Sequence, residues 1–160
     1  MHWILDGYNI MLGDEKLGKA ARNNLEGARD ELIREIIGAE NLRRESVFLI
    51  FDGKSGGPTE KITPNLQVKF SKPGETADDV IKSMVRNYKK RISVLVVSDD
   101  RAIVNYAKQC GAKVVSSTDF LTLTRARKSK SNEPESFSEK PTTPTKTDLE
   151  LLRLFKQKKQ

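Results

Sequence analysis

Four short and nearly continuous apolar runs stand out along the chain. They are Trp3-Ile4-Leu5, Val47-Phe48-Leu49-Ile50-Phe51, Ile92-Ser93-Val94-Leu95-Val96-Val97 and Lys113-Val114-Val115. They are rich in β-branched, aromatic or leucine residues and do not alternate with polar ones, so they predict strands buried on both faces of a parallel sheet. A weaker, alternating run, Leu66-Gln67-Val68-Lys69-Phe70, predicts an edge strand.

Between these runs, apolar residues recur at helical spacing. The spacing predicts helices over 25–37, 77–88 and 102–107, and a further helix over about 118–127. Strands that alternate with helices predict an α/β fold, with helices on both faces of a mostly parallel sheet.

The composition changes abruptly after Arg127. Residues 128–147 are almost all Ser, Thr, Pro, Lys and Glu, which bury too little apolar surface to offset chain entropy, so we expect a disordered linker. A capping-box pattern then starts at Thr147, and apolar residues at helical spacing predict a basic amphipathic helix over 148–160. The chain therefore divides into one domain over 1–127, a linker and a short terminal helix.

The charge of the chain is unevenly distributed. Its 160 residues carry a net charge of +7, which favours a polyanionic partner such as nucleic acid. Residues 1–124 hold 19 Lys and Arg against 17 Asp and Glu, whereas residues 125–160 hold 10 against 5. No apolar stretch approaches the roughly 18 residues of a membrane span, and the N-terminus lacks the basic start of a signal peptide. We expect a cytoplasmic protein without a membrane partner, and the sequence does not predict its oligomeric state.

Aspartates follow the predicted strands. Asp6 ends the first run, Asp52 follows the second, and Asp99-Asp100 follow the third, while Asp78-Asp79 open the helix after Thr76. Because the carboxyl ends of parallel strands meet at one edge, these side chains are expected to converge there. Each Asp alone has a structural interpretation as well, since Asp forms turns and caps helices.

A group of carboxylates at one edge requires cations or protons. Two carboxylates about 4 Å apart repel by roughly 4 kcal/mol at an effective dielectric constant of about 20. The chain has one histidine, His2, and one cysteine, Cys110, so the ligands of a metal would be oxygens, as Mg²⁺ or Mn²⁺ prefers. A metal-bound water is a nucleophile for a phosphodiester.

Several further residues are candidates at the same edge. Gly7 permits a sharp turn after the first strand, which would let the Asn9 amide reach the edge and orient a water or a phosphate. Lys54, in the Gly-rich loop after Asp52, is a candidate phosphate contact. Lys72 and Arg101 are further candidates, and each of these three cations also has an interpretation as an ordinary solvated surface charge.

The motifs together resemble a known family. Asp6-Gly7-Tyr8-Asn9, Phe51-Asp52-Gly53, Glu75-Thr76-Ala77-Asp78 and Val97-Ser98-Asp99-Asp100-Arg101 resemble the YacP-like branch of the NYN domain, within the PIN-like nuclease superfamily. The resemblance covers residues 2 to about 127. It implies a PIN-like three-layer α/β/α fold and metal-dependent endoribonuclease activity, which in some relatives acts on ribosome-associated mRNA.

The resemblance also implies roles for individual residues. The implied metal ligands are Asp6, Asp78 and Asp100, with Asp52 and Asn9 as supporting members of the catalytic group. Ser98 matches the Thr or Ser that precedes the last carboxylate by two residues, which leaves Asp99 at a variable position. Glu75 matches a recurrent position, and it either touches metal or caps the helix.

Two alternatives belong to other functional classes. In the first, the protein is a non-catalytic RNA-binding or ribosome-associated module that uses its basic tail, and the acidic edge holds a structural metal. In the second, it is a haloacid-dehalogenase-like phosphatase, but that family requires an Asp two residues after Asp6, where this chain has Tyr8.

Overall fold

A computed structural model describes residues 1–53 and 59–126. The five predicted runs and one further short strand form a six-stranded sheet in the order β3-β4-β2-β1-β5-β6. The strands are β1 (His2–Asp6), β2 (Ser46–Phe51), β3 (Glu60–Lys61), β4 (Leu66–Phe70), β5 (Val94–Val97) and β6 (Lys113–Val115). All neighbouring strands pair in parallel except β3 and β4, which confirms the predicted mostly parallel sheet.

Six α-helices accompany the sheet in the described part of the chain. They are α1 (Gly7–Leu12), α2 (Glu15–Asn23), α3 (Leu25–Gly38), α4 (Ala77–Asn87), α5 (Arg101–Gln109) and α6 (Ser117–Arg125). Short 3-10 turns occur at Glu40–Leu42 and Arg91–Ser93. Each α-helix begins at a residue whose side chain accepts a backbone N–H of the first turn, and these are Asp6, Asp14, Asn24, Thr76, Asp100 and Ser116.

The sheet is covered on both faces, so the predicted three-layer α/β/α architecture is confirmed. One apolar core joins Trp3, Leu5 and Leu49 of the sheet to helices α1, α2, α3 and α6. The other joins Ile4, Ile50 and the alternate residues of β5 to α4 and α5. Successive side chains of β1 enter opposite cores, which explains why its apolar run does not alternate with polar residues.

Strand β1 lies in the middle of the sheet, although it comes first in the chain. It pairs with β2 on one side, with His2 opposite Ser46, and with β5 on the other, with His2 opposite Val94. The order of the strands along the sheet therefore reverses between β1 and β5. In open α/β sheets ligands bind beyond the carboxyl ends of the strands at such a reversal.

The structure differs from the sequence-based expectations in four places. Leu66–Phe70 is not an edge strand, because the exposed two-residue β3 pairs outside it. Ile92 and Ser93 belong to a 3-10 turn instead of β5. Helix α6 begins at Ser117 and ends at Arg125, and the sequence pattern did not predict helices α1 and α2.

The C-terminal predictions lie outside the described residues, as they concern the linker over 128–147 and the helix over 148–160. Within residues 1–53 and 59–126, no helix combines the length and apolar character needed to cross a membrane.

Candidate functional site

Asp6 occupies the carboxyl end of the central strand. It is the last residue of β1 and only 7% exposed. One carboxylate oxygen, Oδ1, accepts the Asn9 N–H at 3.4 Å and so caps α1, while Oδ2 accepts the Ser98 hydroxyl at 3.1 Å. Since a carboxylate has about four acceptor positions, these two bonds leave Asp6 with capacity for a further ligand.

The carboxyl of Asp6 is harder to ionise than an ordinary aspartate. Burial, the largest cause, raises its pKa from 3.8 to about 6. The hydrogen bonds from Ser98 and Asn9 oppose this rise, while the negative charges of Asp78 and Asp100 add to it. These two aspartates therefore lie close enough to Asp6 for their charges to act on it.

Asp78 takes part in the same electrostatic group. Burial raises its pKa, and the charges of Asp100 and Asp52 raise it further, whereas Lys82 lowers it. No described residue donates a hydrogen bond to the Asp78 carboxylate. Asp6, Asp52, Asp78 and Asp100 thus form one electrostatically coupled set at the carboxyl edge of the sheet, which we call the acidic edge.

Asp100 is fixed by the helix that follows it. Its Oδ1 caps α5 by accepting the N–H groups of Ala102 at 2.8 Å and Ile103 at 3.2 Å. Its own N–H donates to the Ser98 hydroxyl at 3.1 Å. Ser98 is itself 1% exposed, so one buried hydroxyl connects Asp6 and Asp100.

Asp52 joins the end of β2 to the beginning of α4. Its Oδ1 accepts the Ala77 N–H at 2.6 Å and the Ser71 hydroxyl at 3.4 Å. Ser71 Oγ also accepts the Gly53 N–H at 3.1 Å. The Asp52 carboxylate therefore holds the first residue of α4, and with it the neighbouring Asp78, at this edge of the sheet.

Asn9 bridges two loops at the same edge. Its Oδ1 accepts the Asp99 N–H at 2.7 Å and the Ser117 hydroxyl at 3.0 Å. The Asp99 carboxylate in turn accepts the Ser117 N–H at 3.1 Å, and so fixes the start of α6. The Asn9 oxygen is thus taken up within the protein, whereas its NH₂ group makes no hydrogen bond to a described residue.

Gly7 is required for a different reason from the turn that the sequence suggested. It has no left-handed backbone and is the first residue of α1. A Cβ atom at this position would lie 2.2 Å from Cε1 of the fully buried Phe51. The glycine therefore permits close packing of α1 against the end of β2, and a side chain of any size would displace one of them.

The remaining candidates in the described part of the chain have other roles. The Asp79 carboxylate belongs to the capping box of α4 with Thr76. Glu75 Oε2 accepts the Lys72 N–H at 3.1 Å, which closes a tight turn. The side chains of Lys72 and Arg101 are exposed, and Lys54 lies outside the described residues.

The acidic edge fits a divalent cation in the chemistry of its donors. All four side chains offer carboxylate oxygens, which hard cations such as Mg²⁺ prefer, and a cation relieves the repulsion that raises the pKa of Asp6 and Asp78. As the side chains lie, no three Asp, Glu, His or Cys residues in the described ranges are close enough together to surround one ion. The acidic edge therefore suits a divalent cation in the type, charge and placement of its donor atoms, but its side chains do not form a complete coordination sphere.

Sequence reasoning missed four residues that form the surroundings of the site. Ser71 and Ser117 are buried serines that connect its loops, and serine is too common in loops to signal this. Tyr8 and Arg29 contact each other through a hydrogen bond from the guanidinium to the phenol oxygen. Tyr8 stands inside the Asp6-Gly7-Tyr8-Asn9 motif, which was a usable signal.

Comparison with known families gives a match over almost the whole chain. The model of the family described as the YacP-like NYN domain matches residues 3–159. The match extends past residue 127, where the motif-based resemblance ends.

One curated protein and two crystal structures are similar to the chain. The "Uncharacterized protein YacP" of Bacillus subtilis (strain 168) is 31% identical over 85 residues, which are 52% of this chain and 50% of that protein, so the match spans about half of the relative's length. The crystal structure of Rae1 (YacP) from Bacillus subtilis has a TM-score of 0.65 at 23% identity and covers 81% of this chain and 76% of that one. A mutant of Rae1 gives a TM-score of 0.67 at 22% identity, with 81% and 77% covered. These structural matches show a shared fold.

Proposed function

Because the chain belongs to the YacP-like NYN domain family, a nuclease-type domain, we propose that it is a Mg²⁺- or Mn²⁺-dependent endoribonuclease. One observation carries the proposal. Asp6 lies at the end of the central strand, and its burial, together with the negative charges of Asp78 and Asp100, raises its pKa to about 6. A buried carboxyl with a raised pKa, at the point where the strand order of a parallel sheet reverses, is typical of a functional site.

In this proposal the acidic edge binds the cation. Asp6, Asp78 and Asp100 are its ligands, with Asp52 as a supporting member. A bound divalent cation supplies an activated water and neutralises charge on the phosphodiester. Metal binding requires ionised carboxylates and thus competes with the protons that the raised pKa values favour.

The other residues orient the ligands and the RNA. Ser98 fixes the Asp6 carboxylate relative to the Asp100 backbone, because its hydroxyl donates to Asp6 Oδ2 and accepts the Asp100 N–H. The Asn9 bridge uses only its Oδ1 oxygen, so its NH₂ group can donate to a phosphate oxygen or a water. The exposed cations Lys72 and Arg101, together with Lys54, are proposed to contact phosphates of the RNA chain.

The test compares two neighbouring aspartates that carry the same charge. Asp78→Asn removes a proposed ligand, whereas Asp79→Asn changes a carboxylate that serves the capping box of α4. RNA cleavage with Mn²⁺ should fall by at least about 100-fold in Asp78→Asn and stay within a few-fold of wild type in Asp79→Asn. EDTA should abolish cleavage by the wild type. Equal cleavage by wild type, Asp6→Asn and Asp78→Asn, or cleavage in EDTA, contradicts the proposal.

A second function is favoured by the charge of the C-terminal segment, since residues 125–160 hold 10 Lys and Arg against 5 Asp and Glu. In that case the protein binds RNA without cleaving it, through the basic segment 125–160. Deleting residues 129–160 distinguishes the two functions. Loss of RNA binding, without metal-dependent cleavage by the full chain under any condition, supports the binding module.

The cellular partner follows from the resemblance and is also a proposal. We infer that the substrate is ribosome-associated mRNA and that the protein acts in the cytoplasm. Sedimentation of a lysate through a sucrose gradient checks this, because the protein should then appear in the ribosomal fractions and leave them at high salt. Its presence at the top of the gradient at low salt contradicts the inference.

A further inference from the structure

A cavity of about 1000 Å³ opens beside the acidic edge and shares Asp52 with it. We call it the aromatic pocket, and its walls include Tyr8, Arg29, Phe70, Lys72 and Glu75. Ligand sites in proteins typically occupy about 300–1,000 Å³. The pocket is therefore large enough for a nucleotide at a place that adjoins the proposed cleavage site.

Aromatic rings form one wall of the pocket. Phe51 is fully buried behind it, and two half-buried rings pack on Phe51. The Tyr8 ring meets Phe51 edge-on with centroids 5.3 Å apart, and the Phe70 ring stacks on it at 5.8 Å. Tyr8 and Phe70 consequently present ring surface on a rigid base, as a platform for a nucleobase requires.

Arg29 adds a positive charge to this wall. Its guanidinium carbon lies 5.5 Å from the ring centroids of Tyr8 and Phe51 and 5.3 Å from that of Phe70. The guanidinium also donates to the Tyr8 hydroxyl, and its Nε is buried without a hydrogen-bond partner among the described residues. No described carboxylate pairs with Arg29. Its guanidinium is therefore available to bind an anion beside the acidic edge.

A second cation stands on the segment after β4. Lys72 is exposed and begins a tight turn, in which Gly74 has the left-handed φ of +81° and Glu75 accepts the Lys72 N–H. This turn lines the pocket together with Ser71 and Pro73. The pocket therefore combines ring surface with two basic side chains, which match the base and the phosphates of a nucleotide.

We propose that the aromatic pocket binds one unpaired nucleotide of a single-stranded RNA, adjacent to the phosphate at the acidic edge. The base stacks on the surface of Tyr8, Phe70 and the Arg29 guanidinium, and the phosphates contact Arg29 and Lys72. A base in a duplex is already stacked and paired, so the pocket selects single strands. This inference rests on the proposed function, because the bound strand is the one that is cleaved.

Binding of a short, fluorescein-labelled single-stranded RNA in EDTA tests the inference without cleavage. Tyr8→Leu removes the ring and Arg29→Met removes the charge, and each should weaken binding by roughly 5- to 150-fold, the range for loss of a base-stacking side chain. Lys90→Met is the matched control. It removes an exposed charge just before β5, at the opposite end of the sheet from the acidic edge, and should change affinity by no more than about two-fold.

An abasic position in the RNA separates stacking from a general loss of structure. The wild type should bind the abasic RNA more weakly than the intact RNA, and Tyr8→Leu should bind both equally. The same RNA as a duplex should bind more weakly than the single strand. Should Tyr8→Leu not fold, two other measurements replace it. Lys72→Ala, at an exposed side chain, should weaken binding of the single-stranded RNA. RNA that contains 4-thiouridine should photocrosslink to the peptide of the wild-type protein that contains Tyr8.

The outcomes separate this inference from the proposed function. Equal binding of duplex and single strand, or wild-type affinity in both Tyr8→Leu and Arg29→Met, overturns the inference even where the protein cleaves RNA. Selective loss of single-strand binding in these variants supports it even where no cleavage is found, in which case the proposed function fails alone.

Discussion

The Ser98 hydroxyl donates to Asp6 Oδ2 at 3.1 Å across 92 residues of sequence, and both side chains are buried. The same hydroxyl accepts the Asp100 N–H. A single serine thus couples the ends of two adjacent strands, and it lowers the pKa of a carboxyl that burial raises.

Replacing Ser98 with Ala should raise the pKa of Asp6 further above 6, because the hydrogen bond that favours the carboxylate is lost. The acid limb of any pH–activity profile should move to higher pH in the same variant. Titration of the Asp6 carboxyl by NMR in EDTA measures the change. Ser93→Ala is the control, since the Ser93 hydroxyl donates to Lys90 O before β5. An unchanged Asp6 titration in Ser98→Ala would show that the bond does not stabilise the carboxylate.

Asp6→Asn should stabilise the metal-free protein at pH 8. The pKa of Asp6 rises from 3.8 to about 6 on folding, so the folded state binds the proton more tightly, and stability falls as the pH rises from about 4 to 6. Above pH 6 the full cost of about 3 kcal/mol is present, and the neutral Asn avoids up to that amount. Urea unfolding in EDTA should show the gain at pH 8 and little or none at pH 4. A gain of equal size at both pH values would assign the effect to packing.

Arg125→Met should destabilise the protein by about 1–3 kcal/mol at pH 7. The Arg125 guanidinium binds Asp14 at 2.8 Å and Glu35 at 3.0 Å, both 14% exposed, and so connects α6 to the start of α2 and to α3. Its hydrogen bond lowers the pKa of Asp14, so this stabilisation is present above pH 3.8 and is lost as the pH falls through the lower folded-state value.

Thermal unfolding checks the Arg125 contact, with Arg43→Met as its control. Arg43 pairs with Glu40 at 3.5 Å, and both side chains are more than half exposed, so that variant should lose at most about 0.5 kcal/mol. Equal losses in the two variants would contradict a special role for Arg125.

Gly7→Ala should destabilise the protein by several kcal/mol or prevent folding, because the added Cβ overlaps the buried Phe51 ring. Gly18→Ala is the matched control inside α2, where the new Cβ would make an ordinary 3.4 Å contact with Met11 O. That change should be neutral or should stabilise by up to about 1 kcal/mol, as Ala favours a helix over Gly. The measurement is the melting temperature of each variant against that of the wild type. An unchanged melting temperature in Gly7→Ala would contradict the close packing of α1 on β2.

Much of the fold followed from the apolar runs. Strands buried on both faces leave a continuous apolar signal, and β1, β2 and β5 form the parallel centre of the sheet. Elements with few buried residues leave no apolar signal in the sequence, which is why the sequence did not predict β3, whose two residues are exposed. Helix α1 was missed because its six residues follow β1 without an intervening turn.

The candidate site was predictable in its carboxylates but not in its connections. Aspartates at strand ends can be counted along the sequence, whereas the Asp52 contact with Ala77 and the Asn9 contacts with Asp99 and Ser117 arise only from tertiary packing. The same holds for Arg29, which reaches the aromatic rings from α3. Side chains that join distant loops give no periodic signal.

The central position of β1 sets the order in which the acidic edge is assembled during translation. Asp6 is made before its partner on β2, Ile50, by 44 residues, and before Ser98, which follows β5 and donates to its carboxylate, by 92 residues. Contacts between such distant residues form late, after the cost of closing long loops has been met. A nascent chain that stops before Ser98 therefore carries Asp6 without the hydroxyl that orients it, so unfinished translation products lack the completed site.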